Sequence, residues 1–285
     1  MSSNFHASPK TIHYLKQLQT LLDQLQPDAP AQAVITPGSP EPQGNTIVFP
    51  GSFNPPTTAH LAMLEQARQF AHQQVSSGEE MRLYAAMSKH IVDKERVERP
   101  LLLDRIVLME TILQHNLPYT GIMLFNRGLY VEQAEGVRTS FPAVKKLYFL
   151  LGFDKIVQIL DPRYYENRDA ALHELFALAE LLVAPRGQDG PDALQALLAQ
   201  PQNQKFARYI HALPLDTTYR DISSSRIRQH SDDHEYSQDV PPEVRQFMQE
   251  TRAYAQPLRL EDGTMIDYYA ERVKAMQAIL HDTKI

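Results

Sequence analysis

The stretch Asn45-Thr-Ile-Val-Phe-Pro-Gly51-Ser-Phe-Asn-Pro-Pro-Thr57-Thr-Ala-His60 constrains the fold more than any other part of the chain. Ile47, Val48 and Phe49 form an apolar run long enough for a buried strand, and a Pro-Gly turn follows. Two prolines after Asn54 fix the direction in which the chain leaves. Thr57 or Thr58 can then cap a helix whose apolar positions include Leu61, Leu64, Ala67 and Ala71. A strand, a glycine turn and a helix N-terminus in succession gather free main-chain N–H groups at the positive end of a helix dipole, which favours an anion. His60 is placed to donate a hydrogen bond to a phosphate over that turn, and Thr57 stands three residues before it. A structural turn beside a surface histidine accounts for the same residues without a ligand.

The rest of the chain tells which fold this stretch belongs to. Ile12, Leu15, Leu18, Leu22 and Leu25 follow a Ser8-Pro9 start signal at helical spacing. The segment from Pro27 to Gly44 is rich in Pro, Ala and Gln without apolar periodicity, so it reads as a loop or linker. From Asn45 onward, strands alternate with helices. Strands are expected at 45–50, 82–87, 120–125, 146–151, 180–184 and 207–212, with helices at 58–75, 100–116, 129–138, 154–160, 166–178 and 191–200. A helix from Pro242 to about Ala255, a hairpin with an Asp262-Gly263 turn and a last helix from about Asp267 to His281 complete the chain. The expectation is an α/β fold: a Rossmann-like, doubly wound parallel sheet of about five or six strands with helices on both faces. Ligands of such sheets bind beyond the carboxyl ends of the strands, so the loops there are the ones to search.

Composition narrows the function. The net charge of -6 argues against a general nucleic-acid binder, and the absence of cysteine removes disulfides, thiolate metal sites and a cysteine nucleophile. No apolar run has the ~18 residues of a membrane span, and no secretory pattern opens the chain, so a soluble, cytoplasmic protein is expected. The sequence carries no Gly-x-x-x-x-Gly-Lys-(Ser/Thr), Gly-x-Gly-x-x-Gly, His-Glu-x-x-His or Gly-x-Ser-x-Gly string. The acidic run Asp232-Asp-His-Glu235 reads as a solvated loop rather than a metal site.

Four loops after strands hold further candidates. Lys89 and Lys94 follow the second strand, and Gly152-Phe-Asp154 follows the fourth. There the glycine lets a nucleotide approach the backbone and the carboxylate can accept from ribose hydroxyls, although a glycine turn with an Asp N-cap explains the same residues. Arg186 follows the fifth strand. Further on, Asp221-Ile-Ser223-Ser224-Ser225-Arg226-Ile-Arg228 brings three serines to a helix start, with Arg228 on the face of Ser225 and Arg226 pointing elsewhere.

The string from Gly51 to His60 resembles the signature of the nicotinamide/nicotinate mononucleotide adenylyltransferases, in the nucleotidyltransferase superfamily with a (His/Thr)-x-x-His motif. Ile222 to Arg228 resembles the Ile-Ser-Ser-(Thr/Ser)-x-Ile-Arg motif of the same family. With the two middle loops, the resemblance spans roughly residues 45 to 255 and implies transfer of AMP from ATP to a pyridine mononucleotide, with Mg2+ arriving on ATP. It implies catalytic roles for His60, Thr57, Lys94 (Lys89 in reserve) and Arg228. It also implies nucleotide contacts from Gly51, Ser52, Phe53, Gly152, Asp154, Arg186, Ser223, Ser224 and Ser225. Asn54, Tyr164 and Tyr165 would face the mononucleotide, the two tyrosines standing where many relatives carry Trp. By this reading, residues 1–44 are a helix and linker, 45–256 the nucleotidyltransferase domain, and 257–285 an appended hairpin and helix. No nucleic acid or membrane partner is expected, and a homo-oligomer stays open because the N-terminal helix could cover its own sheet or a neighbour's. Two alternatives remain: a related nucleotidyltransferase using another phosphate monoester or CTP, and a non-catalytic nucleotide-binding protein.

Overall fold

In the computed structural model, which describes residues 8–74, 81–89, 99–230 and 238–281, the run Ile47-Val48-Phe49 lies at the centre of a sheet and is buried throughout. Seven strands make that sheet: β1 (Ala33–Ile35), β2 (Gly44–Pro50), β3 (Met81–Ser88), β4 (Gly121–Phe125), β5 (Val144–Gly152), β6 (Glu180–Ala184) and β7 (Ile210–Ala212). From edge to edge the order is β1-β4-β3-β2-β5-β6-β7. All neighbours are parallel except β1, which runs antiparallel to β4 with Ala33 opposite Phe125.

The alternation of side chains splits the core in two. Ile47, Phe49, Leu83, Ala85, Leu124, Tyr148 and Leu150 point to one face, and Val48, Tyr84, Ala86, Met123, Phe149 and Leu151 to the other. On the first face lie α1 (Pro9–Gln24), α2 (Thr58–Gln74) and α3 (Leu102–Asn116). On the second lie α4 (Tyr130–Ser140), α5 (Phe153–Leu160), α6 (Arg168–Leu178) and α7 (Pro191–Ala199). The sheet is therefore doubly wound, and its strand order reverses between β2 and β5, whose carboxyl ends are side by side. In α5, Phe153, Ile156, Ile159 and Leu160 are buried while Asp154, Lys155, Val157 and Gln158 face out, the period of a one-sided helix.

The segment read as a linker contributes β1 and so raises the strand count to seven. Its order comes from side chains elsewhere that bind its backbone. Asn126, wholly buried at the end of β4, donates through Nδ2 to Gln26 O and Pro30 O at 2.9 Å each and accepts from Gln32 N–H at 2.8 Å. Tyr84 donates its hydroxyl proton to Pro40 O at 2.8 Å, and a Cβ at Gly136 would sit 3.0 Å from the Gln32 backbone. The N-terminal helix α1 covers its own sheet, with Leu18, Leu22 and Leu25 in the first core.

Toward the C-terminus, α8 (Thr217–Arg220), α9 (Ser224–Gln229), α10 (Pro242–Thr251), the β8–β9 hairpin (Leu258–Arg259 and Met265–Ile266) and α11 (Tyr268–His281) follow. Two expected boundaries move. The helix from Pro242 stops at Thr251 because Arg252 turns left-handed at φ 49°, and 204–209 is a 3-10 helix leading into a three-residue β7. Helix α11 is fastened to the start of α3: Arg272 pairs with buried Asp104 at 2.6 Å, and Tyr269 donates to the same carboxylate at 2.6 Å while accepting Leu101 N–H at 2.7 Å. Among the described residues no helix is long and apolar enough to cross a membrane.

Asn126→Ala removes several buried hydrogen bonds and leaves main-chain groups of 26–32 without partners. The expected loss is about 2–4 kcal/mol, read as a lower denaturant midpoint with the slope unchanged.

Candidate active site

The loop leaving β2 is shaped by Phe53. Its ring is buried at 1% exposure although its backbone is left-handed at φ 45°, a conformation unfavourable for a bulky residue. A Cβ at Gly51 would lie 3.0 Å from that ring, so a side chain there would force the ring to shift. Arg105 of α3 donates to Ser52 O at 2.9 Å and holds the loop from behind. Asn54, almost wholly buried, spends its side chain inside the protein: Nδ2 donates to Arg99 O at 3.1 Å and Oδ1 accepts from the Tyr254 hydroxyl at 2.8 Å.

Thr57, with no exposure, caps α2 through a 3.3 Å bond from His60 N–H to its Oγ1. His60 turns its ring back on the cap, so that Nδ1 accepts Thr57 N–H at 3.0 Å and stands 2.7 Å from Thr57 Oγ1. Phe49 and Phe53 flank the imidazole at 5.8 and 5.1 Å between centroids. Burial among these groups pushes its pKa down to about 4, and the positive charge of Arg186 adds to the effect. His60 is therefore uncharged at neutral pH.

The serine segment meets this loop directly. Ser224 donates its hydroxyl proton to Pro55 O at 2.8 Å, and Arg228 donates to Asn54 O. Arg228 also donates to Ser225 Oγ at 3.1 Å, and Ser223 caps α9 by accepting Arg226 N–H at 3.2 Å. Two stretches some 170 residues apart are thus joined main chain to side chain at one sheet edge.

Beside them opens a cleft of about 510 Å3, lined by residues that include Asp154, Arg186, Gly187, Arg220, Ser223 and Arg226. Asp154 and Arg186 form a 2.8 Å ion pair, both about half exposed. Asp154 is not the N-cap that the loop suggested: Gly152 caps α5, and Asp154 stands in its first turn. Gly152 has an ordinary φ of -82°. A Cβ there would meet nothing within 4 Å, so neither conformation nor packing demands a glycine.

Several expected residues lie apart. Lys89 donates from Nζ to Leu22 O at 2.6 Å at the end of α1, where the dipole favours a cation. Lys94 and the run Asp232–Glu235 lie outside the described residues. Tyr165 bonds Ile159 O at 2.8 Å through its hydroxyl, Tyr164 is 64% exposed, and neither lines the cleft. Conversely, Arg226, given no role from its motif position, lines the cleft, as does Arg220, which donates to Leu215 O at 3.1 Å. No motif marks Arg220, and Arg226 could have been suspected only from its place beside the serines.

Residues 48–230 match the model of the cytidylyltransferase-like family. The chain belongs to that family. It is similar to a Schizosaccharomyces pombe protein provisionally named as a nicotinamide mononucleotide adenylyltransferase, at 27% identity over 147 residues. That match covers 50% of this chain and 54% of the relative, so it spans about half of the relative's length. A solved structure titled, also provisionally, as a nicotinate-nucleotide adenylyltransferase from Vibrio parahaemolyticus superposes with a TM-score of 0.40 at 12% identity, over 73% of this chain and 99% of that one. For a cytidylyltransferase-like chain, the edge at β2 and β5 is the part to probe first.

The ring of His60 is expected to titrate with a midpoint near pH 4, far below the ordinary 6.5, in an NMR titration of the labelled protein. Between those values the unfolded chain binds the proton that the folded one refuses, so this residue's contribution to stability falls as pH drops through that window. A midpoint at the ordinary value would show that the ring is solvated and not held as described.

Proposed function

We propose that this chain is an adenylyltransferase that moves AMP from ATP to nicotinamide or nicotinate mononucleotide, forming a dinucleotide and pyrophosphate. The observation that carries this reading is the direct bonding of the serine segment to the loop between Gly51 and His60, through Ser224 to Pro55 and Arg228 to Asn54. Such bonding supports a single anion-binding edge made of both motifs, as the reaction requires.

In this reaction a phosphate oxygen of the mononucleotide attacks the α-phosphorus of ATP, and the bond from that phosphorus to the bridging oxygen of the β-phosphate breaks. The attacking phosphate is ionised at neutral pH, so no side-chain base is needed. What the protein must supply is alignment of two anions and neutralisation of the leaving pyrophosphate. A half-buried, uncharged His60 suits a hydrogen-bond donor and not a base. Among the described residues Arg228 donates to Asn54 O and Ser225 Oγ, and a guanidinium with five N–H groups has further donors to offer phosphate oxygens. Arg186, Arg226 and Lys94 are assigned to the phosphates as further cations, and the open face of Gly152 to the nucleotide with Asp154 beside it. Gly51, Ser52 and Phe53 are assigned to the nucleotide through the loop they shape. Asn54 is assigned a structural part because its side chain is already satisfied. Mg2+ is assigned to the reaction as part of the ATP substrate, bridging its phosphates.

The test is turnover with ATP and Mg2+, offering the amide and the acid mononucleotide separately and measuring dinucleotide by chromatography. Product is expected from at least one, and His60→Ala is expected to lower kcat by about 10²–10³-fold. No product from either, or an equally active variant, defeats the assignment. The family description favours one second reading, cytidylyl transfer to another phosphate monoester; turnover with CTP but not ATP would install it. Nucleotide binding without turnover for any acceptor would mark a non-catalytic binder.

Gly152→Ala separates site from scaffold. Its stability should stay within about 0.5 kcal/mol of wild type because the added methyl group meets no protein atom. Its KM for the nucleotide should rise several-fold, measured in the same assay.

A further inference from the structure

Thr57 and His60 make a closed unit whose hydrogen-bond direction can be worked out. A main-chain N–H only donates, so the 3.0 Å bond from Thr57 N–H obliges Nδ1 of His60 to present a lone pair. An uncharged imidazole carries one proton, and with Nδ1 occupied as an acceptor that proton sits on Nε2. The threonine hydroxyl, 2.7 Å from the same nitrogen, has its own proton to direct there while its oxygen accepts His60 N–H at 3.3 Å. A proton on Nδ1 would face the Thr57 amide proton head-on, so the arrangement opposes both the other tautomer and the charged ring. Phe49 of β2 and Phe53 of the loop supply no charge, and Arg186 on the loop after β6 adds a repulsive one.

Two more facts limit what Thr57 can do. Its side chain has no exposure, so a phosphate cannot reach the hydroxyl without opening the turn. The ring bonds of His60 among the described residues all fall on Nδ1, and the ring is only part-buried, which leaves Nε2 as the nitrogen directed away from the cap.

We propose that Thr57 is a positioning residue which fixes His60 as the Nε2–H tautomer, so that Nε2–H is the donor to the transferring phosphate and Thr57 itself touches no substrate. The substrate half of this statement rests on the nucleotidyl-transfer reading, and the tautomer half does not. It differs from the expectation that Thr57 and His60 both face the phosphates. Because the donor carries no charge, neutralising the leaving group falls to the arginines of the cleft and of α9.

The experiment has two arms on the full chain. In the first, long-range proton–nitrogen correlation spectra at pH 7, without nucleotide, read the protonation of each ring nitrogen. The expected pattern for His60 is a proton-bearing Nε2 and a bare Nδ1; a proton on Nδ1, or on both nitrogens, overturns the proposal. In the second, Thr57→Val keeps the amide and the shape but removes the hydroxyl, and Thr57→Ser keeps the hydroxyl. Thr57→Val should lower kcat by about 10- to 100-fold through misorientation of the ring, with KM for the nucleotide within twofold of wild type. Thr57→Ser should restore most of the loss.

A contact between Thr57 and the phosphate predicts a fall in kcat with the His60 ring signals of Thr57→Val unchanged from wild type, whereas positioning predicts that those signals shift; a lowered kcat with unchanged ring signals overturns the proposal. Denaturant melts of both variants separate loss of fold from loss of positioning, and if Thr57→Val does not fold, the serine variant and the spectra of the wild type still decide. Since the spectra need no turnover, a chain inactive with every acceptor defeats the functional reading and leaves the tautomer measured.

Discussion

The bonds from Arg228 and Ser224 to the carbonyls of Asn54 and Pro55 are the constraint on which the site depends. A loop that leaves a central strand through two prolines has little regular hydrogen bonding of its own. Its carbonyls must be satisfied by side chains, and here those side chains come from the short helix after the last strand of the sheet. Because Arg228 also holds Ser225, the orientation of α9 and the conformation of the loop cannot vary independently. Charged donors to a main-chain carbonyl are among the stronger hydrogen bonds, and they keep the two segments in one geometry before any ligand arrives.

The same loop is braced from three other directions. Arg105 holds Ser52 from α3, Tyr254 and Arg99 hold the side chain of Asn54, and Phe53 fills the space that a side chain at Gly51 would need. The start of α3 is in turn fixed by Asp104, Arg272 and Tyr269. A path of direct contacts therefore leads from the C-terminal helix to the turn at Gly51 and Ser52. The last helix, which the family match does not cover, supports the loop after β2 through that path.

Much of this was legible in the residues, for identifiable reasons. Parallel strands buried on both faces show as apolar runs, so Ile47–Phe49, Leu147–Leu151 and Leu181–Ala184 are plain. Ser8 and the serine at 223 act as caps in the positions that capping chemistry suggests. What escaped was structure made by partners distant in sequence. Strand β1 sits in a segment without periodicity and is ordered by Asn126, Tyr84 and a close approach at Gly136. The 3-10 helix at 204–209 carries a buried Phe206 whose apolar surroundings look the same for helix or strand over so short a run. Arg226 escaped because a motif position that tolerates any residue says nothing about where that residue points.

The arrangement of charge at the edge follows from the state of His60. If the imidazole were a cation, it would be repelled by the nearby charge of Arg186. Burial against Phe49 and Phe53, together with the Thr57 amide on Nδ1, removes that repulsion and leaves a directional donor instead of a second diffuse charge. The rim of the cleft carries Arg186, Arg220 and Arg226 together with Asp154, Asp189 and Asp221, and Arg186 is paired with Asp154 at 2.8 Å. A half-exposed ion pair of this kind is worth little to stability, so under the proposed function its exchange for a phosphate would cost little. With three arginines and three aspartates the edge by itself is nearly balanced in charge, and under the proposed function a nucleotide's phosphates would take over part of the pairing.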